Sequence, residues 1–388
     1  MIRLRYTQKP VTTMQLWFSG KNLLLFGGVV VFAVVAAVLT FGLYAQTPAV
    51  AFEAEGGALA NGAVQVADSA ASGGNALKFS ANTGYVTVCG TNLCLNGTTW
   101  YMYGASVYQG LDNPSSTISQ AQTAKLNMVR ITDFLDIPSG VAGSTDEARW
   151  RKVDGMIAAA SQANLKVLLD LSAFRNTLEK NGTNPYTYNW QSFLNFAMTR
   201  VNTVSGRTYK DDPAIVAVAL AGEVEAPNGG SNPLGVTQQQ VTDFFSRTLA
   251  QLAATGTKSL RTTGGLMQLS WNSGIDWRTI MSDPNNQICN MHDYSQGDQD
   301  YTPTVANYCA GIGKPWITEE FGIRQNEGDS TRASRFQTMY NLQKTNHAAG
   351  VAFWNLGTEV VGVNGKTETY DVNPNTPLTL QVVQQNAP

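Results

Sequence analysis

Charge is scarce in this 388-residue chain: Lys, Arg, Asp and Glu make up 14% of it, against roughly 25% in typical globular proteins. The net charge is −2 and no basic tract lies beyond the N-terminus, which argues against nucleic acid as a partner. Histidine is scarcer still, with two residues, and the four cysteines include no Cys-x-x-Cys pair. A zinc site would therefore lack ligands. No Gly-rich phosphate loop follows an early strand, which argues against a doubly wound nucleotide-binding sheet. Asn, Thr, Ser, Gln and Gly take the place of charge, a composition common in secreted proteins. The hydrophobic fraction of 43% is enough for a sizeable core, and the length allows one large domain plus extras, or two ordinary domains.

The chain opens on residues 1–21, with Arg3, Arg5, Lys9 and Lys21 and no acid. Residues 22–44 carry no charge and are long enough to span a bilayer. The positive flank predicts a cytoplasmic N-terminus and an exported remainder. Ala49-Val50-Ala51 resembles a signal peptidase site, but the apolar stretch exceeds the usual core of about 7–15 residues. That favours a transmembrane signal anchor over a cleaved signal peptide, and either places the domain outside the cell, membrane-anchored or secreted. In an exported domain Cys89–Cys94 and Cys289–Cys309 are candidate disulfides; four buried thiols are the alternative. Residues 45–84, rich in Ala, Gly and Ser, read as a linker.

From Tyr85 to the C-terminus (85–388) strand and helix signals alternate, as in βα units around a parallel sheet. The strands fall at Trp100–Tyr108, Met128–Phe134, Lys166–Leu171, Ile215–Leu220, Leu266–Trp271, Gln287–Met291, Trp316–Glu320 and Val351–Asn355. The predicted helices include Ala148–Ala163, Trp190–Val204 and Gln238–Ala254. A hairpin at Val86–Leu95 is placed to close the bottom. Eight strands over roughly 290 residues fit an α/β fold of the (β/α)8 TIM-barrel type.

The stretch Asp212–Pro227 is the centre of the chain. Its apolar run, Ile215–Leu220, suits a strand buried on both faces, and it ends in Gly222-Glu223-Val224-Glu225. A Glu at the C-terminal end of a barrel strand lies where such barrels keep their chemistry. A second acid lies at Glu319-Glu320, at the end of strand seven. Adjacent strand positions point to opposite sides, so one of these two is expected to face the mouth and the other to pair outside it. Two carboxylates across a cleft are what glycoside hydrolysis requires, one protonated and one ionised.

Residues from about Tyr85 to Asn375 resemble glycoside hydrolase family 5. The resemblance rests on Leu126–Arg130, on Arg200-Val201-Asn202 with Gly206, Tyr209 and Asp211-Asp212-Pro213, on Leu220–Glu223, on His292-Asp293-Tyr294, and on Lys314-Pro315 through Glu320-Phe321-Gly322. A shorter stretch from Phe52 to Phe79 resembles the opening of a carbohydrate-binding module, too short to be a whole one. The resemblance implies that Glu223 is the general acid/base and Glu320 the nucleophile, with retention of configuration. Arg130 would orient Glu320, Tyr294 would bond near it, and His292 would contact sugar or acid/base. Trp354 and Trp271 would stack on sugar rings. No cofactor or metal is implied. Gly222 departs from the family pattern, which has Asn there to bond the sugar 2-hydroxyl; Asn272 and Asn355 are candidate substitutes. Ser106 stands where an Asn is common.

The expected activity is hydrolysis of a polysaccharide, β-1,4-mannan first because the Arg-x-Asn and Asp-Asp-Pro run resembles mannanase-like members. A β-glucanase is the alternative within the family. A weakened barrel that binds glycan without cutting it, or a structural surface protein, are the alternatives outside enzyme function.

Overall fold

The structure, a computed structural model, describes residues 63–67, 75–79, 84–108, 110–132, 147–229, 232–357 and 369–388. The basic segment 1–21, the apolar segment 22–44 and most of 45–84 lie outside the described residues. Among those described, no helix is long and apolar enough to cross a membrane. The chain divides into two compact units, Met1–Lys78 and Phe79–Pro388. Strands Ala63–Ala67 and Asn75–Phe79 pair with each other in a two-stranded sheet.

The second unit is the barrel. Its eight strands are Met102–Ser106, Met128–Ile131, Lys166–Asp170, Ile215–Ala219, Leu260–Thr262, Cys289–His292, Trp316–Glu320 and Gly350–Phe353. Each pairs in parallel with its neighbours, and the eighth returns to the first through Gly350 opposite Met102. Strands five and six are joined by single bridges, Thr262 with Ile288 and Leu266 with Met291. Small and medium side chains fill the interior: Met102, Met128, Leu168, Ala217, Leu260, Ile317 and Ala352 are all buried. The outer core lies between strands and helices. On the helix Glu147–Gln162, Trp150, Val153, Ile157 and Ala160 are buried, as their helical spacing predicts. The helix Gln238–Ala254 occupies its predicted span, started by a capping box in which Thr237 and Gln240 bond each other's backbone.

The bottom of the barrel is closed by a three-stranded antiparallel sheet, Val86–Cys89, Asn92–Leu95 and Thr98–Thr99. It buries Val86 and Leu93 against the interior cluster. Lys166 anchors it, its Nζ donating to the carbonyls of Gly84 and Pro213 at 2.9 and 2.8 Å. Both expected disulfides are present, Cys89–Cys94 within this sheet and Cys289–Cys309 between strand six and the following helix.

Two expectations fail. Strand five is not Leu266–Trp271 but the three residues Leu260–Thr262. Gly264 and Gln268 have φ of +83° and +60°, left-handed backbone that cannot continue an extended run. The helix expected over Trp190–Val204 ends at Thr199, and a separate helix, Ala173–Lys180, precedes it.

Candidate active site

The C-terminal ends of strands two, three, four, six and seven deliver charged side chains to one point. Arg130, on strand two, is buried. Its Nη1 donates to Glu320 Oε2 at 2.5 Å and to Ser106 Oγ at 2.9 Å. Its Nη2 donates to Asp170 Oδ2 at 2.5 Å, and its Nε lies 3.5 Å from Glu319 Oε1. Burial works against the guanidinium charge, but the charges of Asp170, Glu319 and Glu320 together raise its pKa well above the usual value. Asp170 is held further by Thr132 Oγ1 at 2.9 Å and the Ser172 amide at 2.8 Å.

Glu320 is fixed on its other oxygen by Tyr294, whose hydroxyl donates to Oε1 at 2.5 Å. Burial, then the Glu320 charge, push the Tyr294 phenol well above its ordinary pKa, so it remains a donor. Glu319 supports the site from within rather than pointing outward, on the same face as Ile317, which is buried in the barrel interior. It is fully buried, within 3.4 Å of His292 Nε2. The register of strands six and seven shifts between Met291 and His292, and at such an irregularity the two-residue period is lost. Both acids therefore converge on the Arg130–His292 pair.

His292 links the two halves of the site. Its Nδ1 lies 3.0 Å from Glu223 Oε1, and its Nε2 lies 3.4 Å from Glu319 and 3.8 Å from Glu320. The ring fits because position 265 is glycine: a Cβ there would sit 1.7 Å from His292 Cδ2. Burial disfavours the imidazolium, but the Glu320 charge and the hydrogen bonds to Glu223 and Glu319 outweigh it and push the pKa up to about 10. For Glu223 burial again pushes upward, and the His292 hydrogen bond and charge more than reverse it, leaving the carboxyl below its ordinary value. Glu223 itself has φ of +52°, a strained conformation of the kind found at functional sites. Its amide is pinned to the Gly265 carbonyl at 2.9 Å.

The folded protein thus holds the His292 proton more tightly than the unfolded chain, whose ordinary value is 6.5. The stability this provides is complete below pH 6.5 and is lost as pH rises toward 10. Thermal unfolding across that range is expected to show a falling Tm in the wild type and a flatter profile in His292→Gln. Parallel profiles would eliminate His292 as the titrating group.

One oxygen each from Glu223 and Glu320 and a nitrogen of His292 all lie within 4.8 Å of one another. This spacing also suits a divalent cation, but Arg130 already occupies Glu320 and the proton on His292 takes the place of a ligating lone pair. Trp354 is nearly buried and lines the same cleft, its ring packed on Tyr108 at 5.3 Å between centroids. Trp271 is not beside it: it lies in a turn, 45% exposed, outside the cleft lining among the described residues. Neither proposed substitute for an Asn at 222 faces the site. Asn355 is buried, accepting from the Tyr108 amide and donating to Asp371, while Asn272 bonds Asn228. The cleft wall is made instead by Ser172, Arg175 and Asn176, on the helix that the sequence did not reveal and at its N-cap. Arg200, Asn202 and Tyr209 lie elsewhere. Arg200 and Tyr209 clasp the buried carboxylate of Asp154, Arg200 Nη2 at 2.6 Å and the Tyr209 hydroxyl at 2.7 Å, while Asn202 Nδ2 donates to the Asp154 backbone carbonyl at 3.0 Å.

A (β/α)8 barrel with Glu at the ends of strands four and seven, one paired with His and the other with Arg and Tyr, defines a glycoside hydrolase. A family model described as cellulase (glycosyl hydrolase family 5) matches residues 82–360. The chain belongs to glycoside hydrolase family 5. Among its relatives, mannan endo-1,4-beta-mannosidase 1 of Arabidopsis thaliana is 24% identical over 79% of this chain and 91% of its own length. Mannan endo-1,4-beta-mannosidase A of Hypocrea jecorina is 25% identical over 74% of each. The fold is shared with the endo-1,4-beta-mannanase of Rhizomucor miehei, at a TM-score of 0.66 and 17% identity, over 78% of this chain and 99% of that one.

Proposed function

We propose that the protein is a retaining endo-β-1,4-mannanase in which Glu320 is the nucleophile and Glu223 the acid/base. The observation that carries this reading is the approach of the two carboxylates, with oxygens within 4.8 Å. Retaining glycosidases hold their carboxyl groups roughly 5–5.5 Å apart, and inverting ones about 6.5–9.5 Å. Glu320 attacks the anomeric carbon and forms a glycosyl ester as the bond to the leaving oxygen breaks. Glu223 delivers the proton that this oxygen takes up. Water, giving its proton to Glu223, then hydrolyses the ester.

His292 supplies a physical account of the timing. In the resting site the proton sits on His292, hydrogen-bonded to Glu223 over 3.0 Å. The Glu320 charge is the largest of the attractions holding it there. That charge vanishes as Glu320 becomes an ester, so the His292–Glu223 pair becomes more acidic at the step that consumes its proton. The relatives named for mannan favour that polymer, and a β-glucan is the second candidate because the family model carries the cellulase description. Export is part of the same reading, since two disulfides belong to an oxidising compartment.

Incubation with β-mannan and β-glucan panels, followed by NMR of the first reducing ends released, is expected to show β-anomers from mannan. Initial α-anomers would overturn the mechanism. Release from glucan alone would overturn the substrate, and binding without release would leave a glycan-binding barrel.

A further inference from the structure

The cleft contains a hydrogen-bonding group that the two-carboxylate chemistry does not use. Position 222, directly before the acid/base, contributes no side chain, although a Cβ there would meet its nearest neighbours, Gly265 N and His292 Cε1, only at 3.4 Å. A small side chain would therefore fit there in ordinary contact, and the glycine leaves that room to the ligand. Most charged and hydroxyl groups around it are engaged with one another: Arg130 with Asp170 and Glu320, Thr132 with Asp170, His292 with Glu223. Sugar hydroxyls entering the cleft need other partners, because a buried hydroxyl left unpaired is costly.

Asn176 is set up to be one. Arg175 Nε and Nη2 both donate to Asn176 Oδ1, at 3.3 and 3.0 Å. A guanidinium has no acceptor, so this grip fixes which end of the amide faces Arg175 and leaves the NH2 group for another acceptor. Among the described residues that group has no protein partner. Arg175 Nη1 also donates to the Gly222 carbonyl at 2.7 Å. One guanidinium therefore ties the Asn176 amide to the backbone that carries Glu223, and it is itself steadied by Glu179 at 3.6 Å. We propose that Asn176, oriented by Arg175, donates a hydrogen bond to a ring hydroxyl of the sugar being cleaved, in place of a side chain at position 222. Arg175 is then a positioning residue and Asn176 a substrate contact.

The inference rests on the hydrolase reading, and the test separates the two. Wild type, Asn176→Ala and the isosteric Asn176→Leu are assayed on an aryl β-1,4-mannotrioside, which an endo-acting cleft can hold, and on its analogues lacking the hydroxyl at C2, C3 or C6 of the sugar bonded to the aryl group. Both variants are expected to lose about tenfold in kcat/KM on the parent, the scale of one neutral hydrogen bond. One deoxy analogue should be cut equally well by wild type and variants. A uniform loss on every substrate, or no loss on the parent, overturns the role of Asn176 and leaves the hydrolase reading standing. A wild type that cleaves none of the four refutes both.

Discussion

Glu320→Ala is expected to abolish turnover, by on the order of 10⁴-fold or more in kcat, the scale of losing a covalent nucleophile, while the protein melts close to the wild-type temperature. The two halves of this result have one origin. Glu320 is one of three carboxylates facing Arg130, with Asp170 and Glu319. Removing it leaves the guanidinium with two anionic partners and relieves the crowding of like charges, so little stability is lost. Functional sites commonly trade stability in this way. The cavity also admits a small anion. With an activated aryl glycoside and azide, the variant should regain turnover and yield a glycosyl azide of inverted configuration. An unaffected kcat, or a large fall in Tm, would assign Glu320 to the architecture rather than the chemistry.

Arg130→Ala should show the opposite balance, with a loss of stability as large as its loss of activity. It leaves Asp170, Glu319 and Glu320 buried side by side without a cation, and breaking a buried pair in this way costs about 3–5 kcal/mol. Urea denaturation should read this as a lower midpoint at unchanged slope, and Tm should fall on the order of 10 °C. Arg130→Lys should recover only part of it, because one ammonium cannot make the separate contacts to Asp170 and Glu320 that the planar fork makes. A destabilisation below about 1 kcal/mol, the value of a surface ion pair, would contradict the cluster as described.

Much of this site is legible in the sequence because barrel strands end where chemistry begins. Glu223 and the Glu319-Glu320 pair stand at the ends of predicted strands, and that position is informative by itself; Arg130 and the choice of Glu320 over Glu319 are what the resemblance to family 5 implies. Asp170 lies inside the strand read from the sequence as Lys166–Leu171, and nothing there singles it out. Its importance appears only when pairing sets Arg130 beside Leu168, one strand away. That Glu320 joins Glu319 at one point is not legible from alternation, which assumes a regular ladder, whereas here the register shifts so that His292 pairs with Glu320. The helix Ala173–Lys180 is eight residues long, too short for a helical period to stand out against the polar residues around it. Strand five is hidden by a better-looking run downstream, Leu266–Trp271, which the left-handed Gln268 interrupts. The residue proposed to touch sugar, Asn176, and Arg175, which positions it, lie on that unseen helix, and no spacing rule points to them.

The clasp around Asp154 carries a lesson about kinship. Arg200, Thr203 and Tyr209 all close on one buried carboxylate. Losing Arg200 would strand the buried Asp154 charge, and losing Thr203 or Tyr209 would take away one of the hydroxyl donors that hold it. The run that most resembles mannanases therefore serves the packing of the barrel, and none of its residues lines the cleft.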